Sequence, residues 1–109
     1  MVLKSIHVKE CLEKLAEPWQ PKEIVKVNDH VVRVALFDGE YHWHKHSEYD
    51  ELFYVINGRI LIEIRNRASI LLKAGQLAVV PQGVEHRPLA KEPAHVLLFE
   101  PKNLVSTGD

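Results

Sequence analysis

Three histidines, His42, His44 and His46, fall on alternate positions in the stretch FDGEYHWHKHSEYDELFYVINGR, residues 37 to 59, with a run of acids just behind them. On a strand, His44 and His46 face the same way about two residue rises apart, roughly 7 Å at the backbone. Inside a curved sheet their imidazoles can converge on one point. Glu51 follows after a short turn, at the start of the next β run, and can face the same interior. A second segment, GQLAVVPQGVEH (residues 75 to 86), ends a strand at Pro81, reverses through Pro-Gln-Gly and returns His86 to the sheet. Three neutral imidazole nitrogens and one carboxylate oxygen suit borderline divalent ions: Zn, Fe, Mn, Ni or Co. The plainer alternative is a polar surface strand that is rich in histidine.

The elements that must position these groups are short and β-like. From residue 24 onward, apolar runs near 24–27, 31–37, 40–46, 51–57, 59–65, 69–72, 76–80, 84–89 and 95–100 are separated by turn residues. Asn57-Gly58 between two such runs signals a hairpin, since a primed turn needs positive φ at both central residues. In 59–65, Ile60, Ile62 and Ile64 share one face and Arg59, Glu63 and Arg65 the other, which reads as one wall of a core. The run 51–57 is apolar on both faces, so its outer side is expected to be covered by the N-terminal segment or a second subunit. The first 17 residues carry Val8, Leu12 and Leu15 on one helical face, with Glu10 and Lys14 an i, i+4 pair, up to Pro18. No repeat, low-complexity tract or linker divides the chain. It reads as a single domain over residues 1–109, an N-terminal helix and arm (1–20) followed by a β-barrel (24–100).

Composition narrows the function classes. The chain has 109 residues, enough for a core without disulfide staples. Its formal net charge of −1, from 14 basic and 15 acidic side chains, gives no electrostatic case for nucleic acid or an anionic membrane. No apolar run approaches a membrane span, and charges interrupt MVLKSIHVKECLEKL in a way that no signal peptide shows. The single Cys11 excludes an internal disulfide and fits a reducing cytoplasm.

With these residues in place, the sequence resembles the small single-domain cupins. The first cupin motif is matched by Gly39, His44-Lys-His46, four residues, Glu51, six residues and Gly58. The second is matched by Gly75, five residues, Pro81-Gln82-Gly83, two residues and His86. A gap of 16 residues separates the two motifs, and the resemblance covers roughly residues 24 to 100. WHKHSEYDELFYVINGRI and VVPQGVEHRPLA look most like conserved-barrel cupins of the mannose-6-phosphate-isomerase-like subgroup. Gly39 lies one residue closer to the histidines than the usual pattern, and Ala90 stands where an Asn often follows; neither is a ligand. Asp50 meets a looser acid spacing, but the six residues before Gly58 select Glu51.

The resemblance implies an all-β, antiparallel jelly-roll barrel with a short N-terminal α-helix, a homodimer, and a divalent ion on His44, His46, Glu51 and His86. An ion so held leaves one or two coordination positions open to act on a small oxygen-rich molecule. Isomerase, dioxygenase, decarboxylase and lyase chemistry all remain open. The alternative is a non-catalytic sugar-binding or sensor module with the same ion, or a barrel that the metal merely staples. His42 is the candidate catalytic residue, as proton shuttle, extra ligand or substrate contact, set against a quiet place at the pocket mouth. Phe53 and Val55 share parity with Glu51 and are expected to line the cavity. Trp43 points away and is expected to pack between sheets or at a subunit contact. Arg33, Tyr41, Tyr54 and Arg87 are candidates for an anionic or sugar ligand, while His7, His30 and His95 are expected in surface or structural roles.

Overall fold

The computed structural model describes residues 3–109. One helix, α1 (Val8–Glu13), precedes seven strands: β1 (Lys22–Val27), β2 (His30–Glu40), β3 (Glu51–Asn57), β4 (Arg59–Ile64), β5 (Ile70–Lys73), β6 (Leu77–Val80) and β7 (His86–Pro101). The helix is much shorter than the 17 residues its apolar pattern suggested. His7 at its N-cap makes no side-chain capping bond, and the helix ends in a tight turn in which the Lys14 and Leu15 N–H groups donate to the Cys11 and Leu12 carbonyls. Buried Leu12 is its anchor. No helix among the described residues is long and apolar enough to cross a membrane.

The 16-residue β7 is the spine of an antiparallel barrel. Its C-terminal half lies between β2 and β3 in a sheet of order β1-β2-β7-β3-β6. Its first residues, His86 to Leu89, pair instead with β4, which pairs with β5. One strand thus serves both walls, bending at the small buried residues Ala90 and Ala94. The two strands expected over 84–89 and 95–100 are therefore continuous. Lys91, Glu92 and Pro93 lie exposed opposite the register shift between Phe37 and Gly39 of β2.

Two further expectations change. The stretch 40–46 is not a strand: beyond Glu40, it makes only the isolated bridge His44–His86. Asn57-Gly58 is not a hairpin either. β3 pairs with β6 and β7, and β4 with β5 and β7, so the turn carries the chain onward along one edge of β7, from one wall to the other. Gly58 takes φ +77° there, while Asn57 keeps negative φ and pairs with His95. An Asn-Gly pair reports a local need for positive φ; it does not report which strands meet afterwards.

The core fills from alternate residues. Phe53 and Val55 of β3, Ile60 and Ile62 of β4, and Val96 and Leu98 of β7 all point inward and are buried. Each such side chain contributes roughly 1.5–3 kcal/mol when removed from water. The outward face of the larger sheet is also apolar. A row runs across it from Val25 through Val32, Phe99 and Leu52 to Val79, and beside it runs Val34, Leu97, Tyr54 and Leu77. The inner end, Val34, is buried, whereas Val25, Leu77 and Val79 are exposed.

Gly58 provides a direct test of the crossing. A Cβ there would meet the Ala94 Cβ at 2.9 Å and the Ala94 Cα at 3.0 Å, on a backbone already at positive φ. Gly58→Ala is expected to destabilise the fold by about 1–3 kcal/mol in chemical denaturation. Positive φ alone would cost about 1 kcal/mol in a freely exposed turn, so a loss no larger than that would count against the close approach to Ala94.

Candidate metal centre

Residues 41–46 hang beside β7 by three spaced contacts. The Tyr41 N–H donates to the Pro88 carbonyl (3.0 Å) and the Gly83 N–H donates to that of His46 (2.8 Å). Between them, His44 and His86 exchange both backbone hydrogen bonds, at 3.0 and 2.9 Å. Glu51 opens β3 opposite Val80 of β6, and His86 opens β7 opposite Ile64 of β4. Three different segments thereby deliver four side chains to one end of the barrel.

Candidate ligand atoms of His44, His46, Glu51 and His86 all lie within 4.8 Å of one another. His46, Glu51 and His86 are buried and His44 is partly so. The Nε2 of His46 lies 3.1 Å from Glu51 Oε1, and that of His86 lies 3.6 Å from it. His44 places its Nδ1 3.0 Å from the His42 carbonyl, and His86 places its own 2.9 Å from that of Val84. A carbonyl can only accept, so both rings carry their proton on Nδ1 and turn an Nε2 lone pair toward the cluster. The Nε2 of His86 is buried with no hydrogen-bond partner. An orphaned acceptor is costly inside a protein, and a cation with ~2.0–2.2 Å bonds to nitrogen and oxygen would satisfy it.

The electrostatics keep the donors ready. Burial, with the neighbouring His86 and His46, pushes the His44 pKa down to about 4, overcoming its bond to the His42 carbonyl and the Glu51 charge. Burial alone would raise Glu51, but the His46 and His86 imidazoles beside it outweigh that and hold the carboxyl well below its usual range. Behind it, fully buried Glu100 is pushed up to about 9 by burial and by Glu51, against the pull of Arg33 at 2.8 Å. The cluster at neutral pH therefore presents at least one neutral imidazole and an anionic carboxylate, the protonation state that metal binding requires.

The other residues singled out from sequence sort clearly. His42 lies outside the four: its ring is exposed, and its Nε2 sits 2.9 Å from the Thr107 carbonyl. Asp50 faces away and accepts from the Gln82 N–H at 2.8 Å, bracing the Pro-Gln-Gly turn. Trp43 also faces away, between the guanidinium groups of Arg65 (4.0 Å) and Arg87 (5.2 Å). Arg87 is held by Glu63 and Glu40. Arg33 is committed to Glu100 and to the carbonyls of Lys102 and Leu104. Tyr54 lies on the outer face, Val55 in the core, and Tyr41 and Phe53 beside His44 and Glu51.

Three contributors have no local sequence signal: Trp19, Glu100 and the tail after β7. The tail is anchored by buried Leu104 and crosses the histidine segment. Asp109 Oδ1 accepts from the Ser47 N–H and hydroxyl, and the Asp109 N–H donates to the Lys45 carbonyl. Gly108, at φ +91°, passes so close that a Cβ would lie 2.7 Å from the His44 Cβ.

Comparison with known proteins agrees with this architecture. The Cupin domain family matches residues 30–100. The uncharacterized protein YdbB of Bacillus subtilis (strain 168) is 47% identical over 64 residues, 59% of this chain and 57% of that protein, so the chain spans little more than half of that relative. The crystal structure of a cupin-2 domain containing protein from Shewanella frigidimarina NCIMB 400 superposes with TM-score 0.86 at 35% identity, covering 89% of this chain and 94% of the other. A Neisseria meningitidis protein superposes with TM-score 0.83 at 27% identity, covering 91% and 100%.

The metal-free protein has a defined pH signature. His44 in the unfolded chain regains a pKa near 6.5, so that chain binds more protons than the fold between about pH 6.5 and 4. Stability measured in chelator should fall as pH drops through this window, and His44→Gln should flatten the slope. Glu100 acts in the opposite sense: its folded pKa is raised, so stability falls as pH rises from about 4.5 to 9. Glu100→Gln should remove that alkaline loss. Unchanged pH profiles in both variants would contradict the electrostatic assignment.

Proposed function

The chain belongs to the cupin family, and from that premise we propose that His44, His46, Glu51 and His86 hold a divalent transition metal that binds a small oxygen-bearing molecule, in a metal-dependent enzyme. One observation carries the proposal: four metal-type donors gather at the barrel end around a buried His86 nitrogen that has no other partner. When bound, the ion would supply Lewis acidity, or redox chemistry if it is iron or manganese. The chain itself does the rest. The carbonyls of His42 and Val84 set the histidine tautomers, and the hydrophobic shell of Phe53 and its neighbours keeps the donors from bulk water. In this reading His42 orients His44 through its backbone, while its own ring is tied to Thr107.

A second reading has its own support. Apart from the four donors, the basic groups near the site are engaged: Arg33 with one oxygen of Glu100, and Arg87 with Glu63 and Glu40. A non-catalytic binding or sensor module built on the same ion is consistent with that engagement of the charged side chains. We further propose a homodimer in which the apolar outward face, with exposed Val25, Leu77 and Val79, is covered by a second copy. A reducing, cytoplasmic setting is in keeping with the free Cys11.

Elemental analysis of untagged protein, purified without chelator, tests the site. About one ion per chain is expected, and none in the His44→Ala, His86→Ala double variant with its circular dichroism unchanged. Equal metal in both proteins, or none in either after reconstitution, would remove the proposal. Sedimentation equilibrium tests the assembly. A dimer that Leu77→Glu, Val79→Glu converts to monomer is expected, whereas a native monomer would refute it.

A further inference from the structure

The smaller wall of the barrel carries three cations close together on its outward side. Arg59 of β4 stands directly opposite Lys73 of β5, and Lys91 lies on β7 two residues past Leu89, the partner of Leu61. Like charges that face each other across neighbouring strands destabilise a sheet. Other basic residues of this chain are met by acids: Arg33 by Glu100, Arg65 by Glu85, and Arg87 by Glu63 and Glu40. Among the described residues, the ion pairs of lysine and arginine involve these three and Lys26, and none of Arg59, Lys73 and Lys91.

An apolar row runs beside the cations. Leu61 pairs with Leu71 of β5 on one side and with Leu89 of β7 on the other, so three leucines cross three adjacent strands, a span of roughly 10 Å. Leu71 is 50% exposed. The chain rises on both flanks of this row. On one flank residues 91–93 of β7 stand out between buried Ala90 and Ala94, and on the other Lys73 and Ala74 lead into a turn where Gly75 takes φ +85°. Between the flanks lies a cleft of about 820 Å³, lined by the three cations, the three leucines and a single acid, Glu92. Small-molecule sites typically enclose roughly 300–1,000 Å³. None of the four metal donors lines this cleft.

We propose that the cleft binds a small anionic amphiphile, a linear acyl carboxylate in its simplest form. Its head lies among Arg59, Lys73 and Lys91, and its chain covers Leu61, Leu71 and Leu89. A negative head relieves the repulsion that the fold leaves among the cations, and the chain takes the leucines out of water. Inorganic anions would leave the leucines wet, and a neutral apolar molecule would leave the cations unmatched. The cleft is a recess sized for one molecule, on the wall opposite the outward face of the larger sheet. The assignment is independent of the metal reading.

The test follows backbone amides of the full chain by NMR, with and without EDTA, using decanoate below its micellar concentration. Decanoate should shift the amides of Leu61, Leu71 and Leu89 saturably, and equally in EDTA. Decyltrimethylammonium, with the same chain and the opposite charge, should bind about tenfold more weakly. Lys73→Gln, Lys91→Gln changes two exposed side chains and should weaken decanoate by about fivefold to tenfold, with amides away from the cleft unmoved. Equal affinity for the two amphiphiles, no saturable shift, shifts confined to the histidine segment, or an unaffected double variant would each overturn the site. Attachment to phosphatidylglycerol vesicles without decanoate binding would overturn it in favour of a membrane surface. Loss of a native oligomer in the double variant would overturn it in favour of a second copy. All of these outcomes leave the metal site standing.

Discussion

The site depends on one pair of backbone hydrogen bonds, those exchanged between His44 and His86. The two residues are far apart in the chain and belong to different turns. Their pairing is the β-bridge that ties the irregular segment after β2 to the start of β7. It brings the two imidazoles to 4.4 Å between ring centroids and aligns both rings with the carbonyls that fix their tautomers. Without it, the histidine segment would have only its outer contacts, at Tyr41 and His46, to define its distance from the barrel.

The barrel makes that pairing possible at a single place. Because β7 is shared by both walls, His86 sits where the β4 wall meets the segment that closes the end. Glu51 enters from the opposite wall, and Glu100 of β7 lies behind it with Arg33. Arg33 also binds the carbonyls of Lys102 and Leu104, so the Arg33–Glu100 hydrogen bond that backs the cluster is the same one that sends the tail across its mouth. Buried charges are expensive unless they are paired and hydrogen-bonded. This pair therefore couples the donor carboxylate, the spine strand and the tail in one arrangement.

The gathering of His44, His46, Glu51 and His86 was legible because their motifs are local, even where their pairing is not. Alternation sets His44 beside His46, and the match of both segments to the cupin motifs adds Glu51 and His86. The β4 wall was legible for the same reason, since Ile60, Ile62 and Ile64 declare their shared face by spacing. Pairing partners were not legible. Asn57-Gly58 signals a turn equally well whether the flanking strands pair or part, and here they part. Period-two alternation continued through residues 40–46 although the backbone found partners only at intervals. Trp19 was invisible because its place is set by Leu36 and Asp38, and Glu100 because a lone acid in HVLLFE looks like a strand end until Arg33 is seen beneath it. The short helix shows the opposite failure: a sound apolar period extended beyond the tight turn that ends it.

X-ray absorption spectroscopy on the metal-loaded protein addresses the central claim most directly, because it reads the ion's immediate neighbours. The account predicts a shell of imidazole nitrogens with carboxylate oxygen at roughly 2.0–2.2 Å, with the outer-ring scattering of three histidines. That scattering should drop to two histidines in His86→Ala reloaded with excess metal. A shell of oxygen alone, or a histidine signal unchanged in His86→Ala, would contradict it.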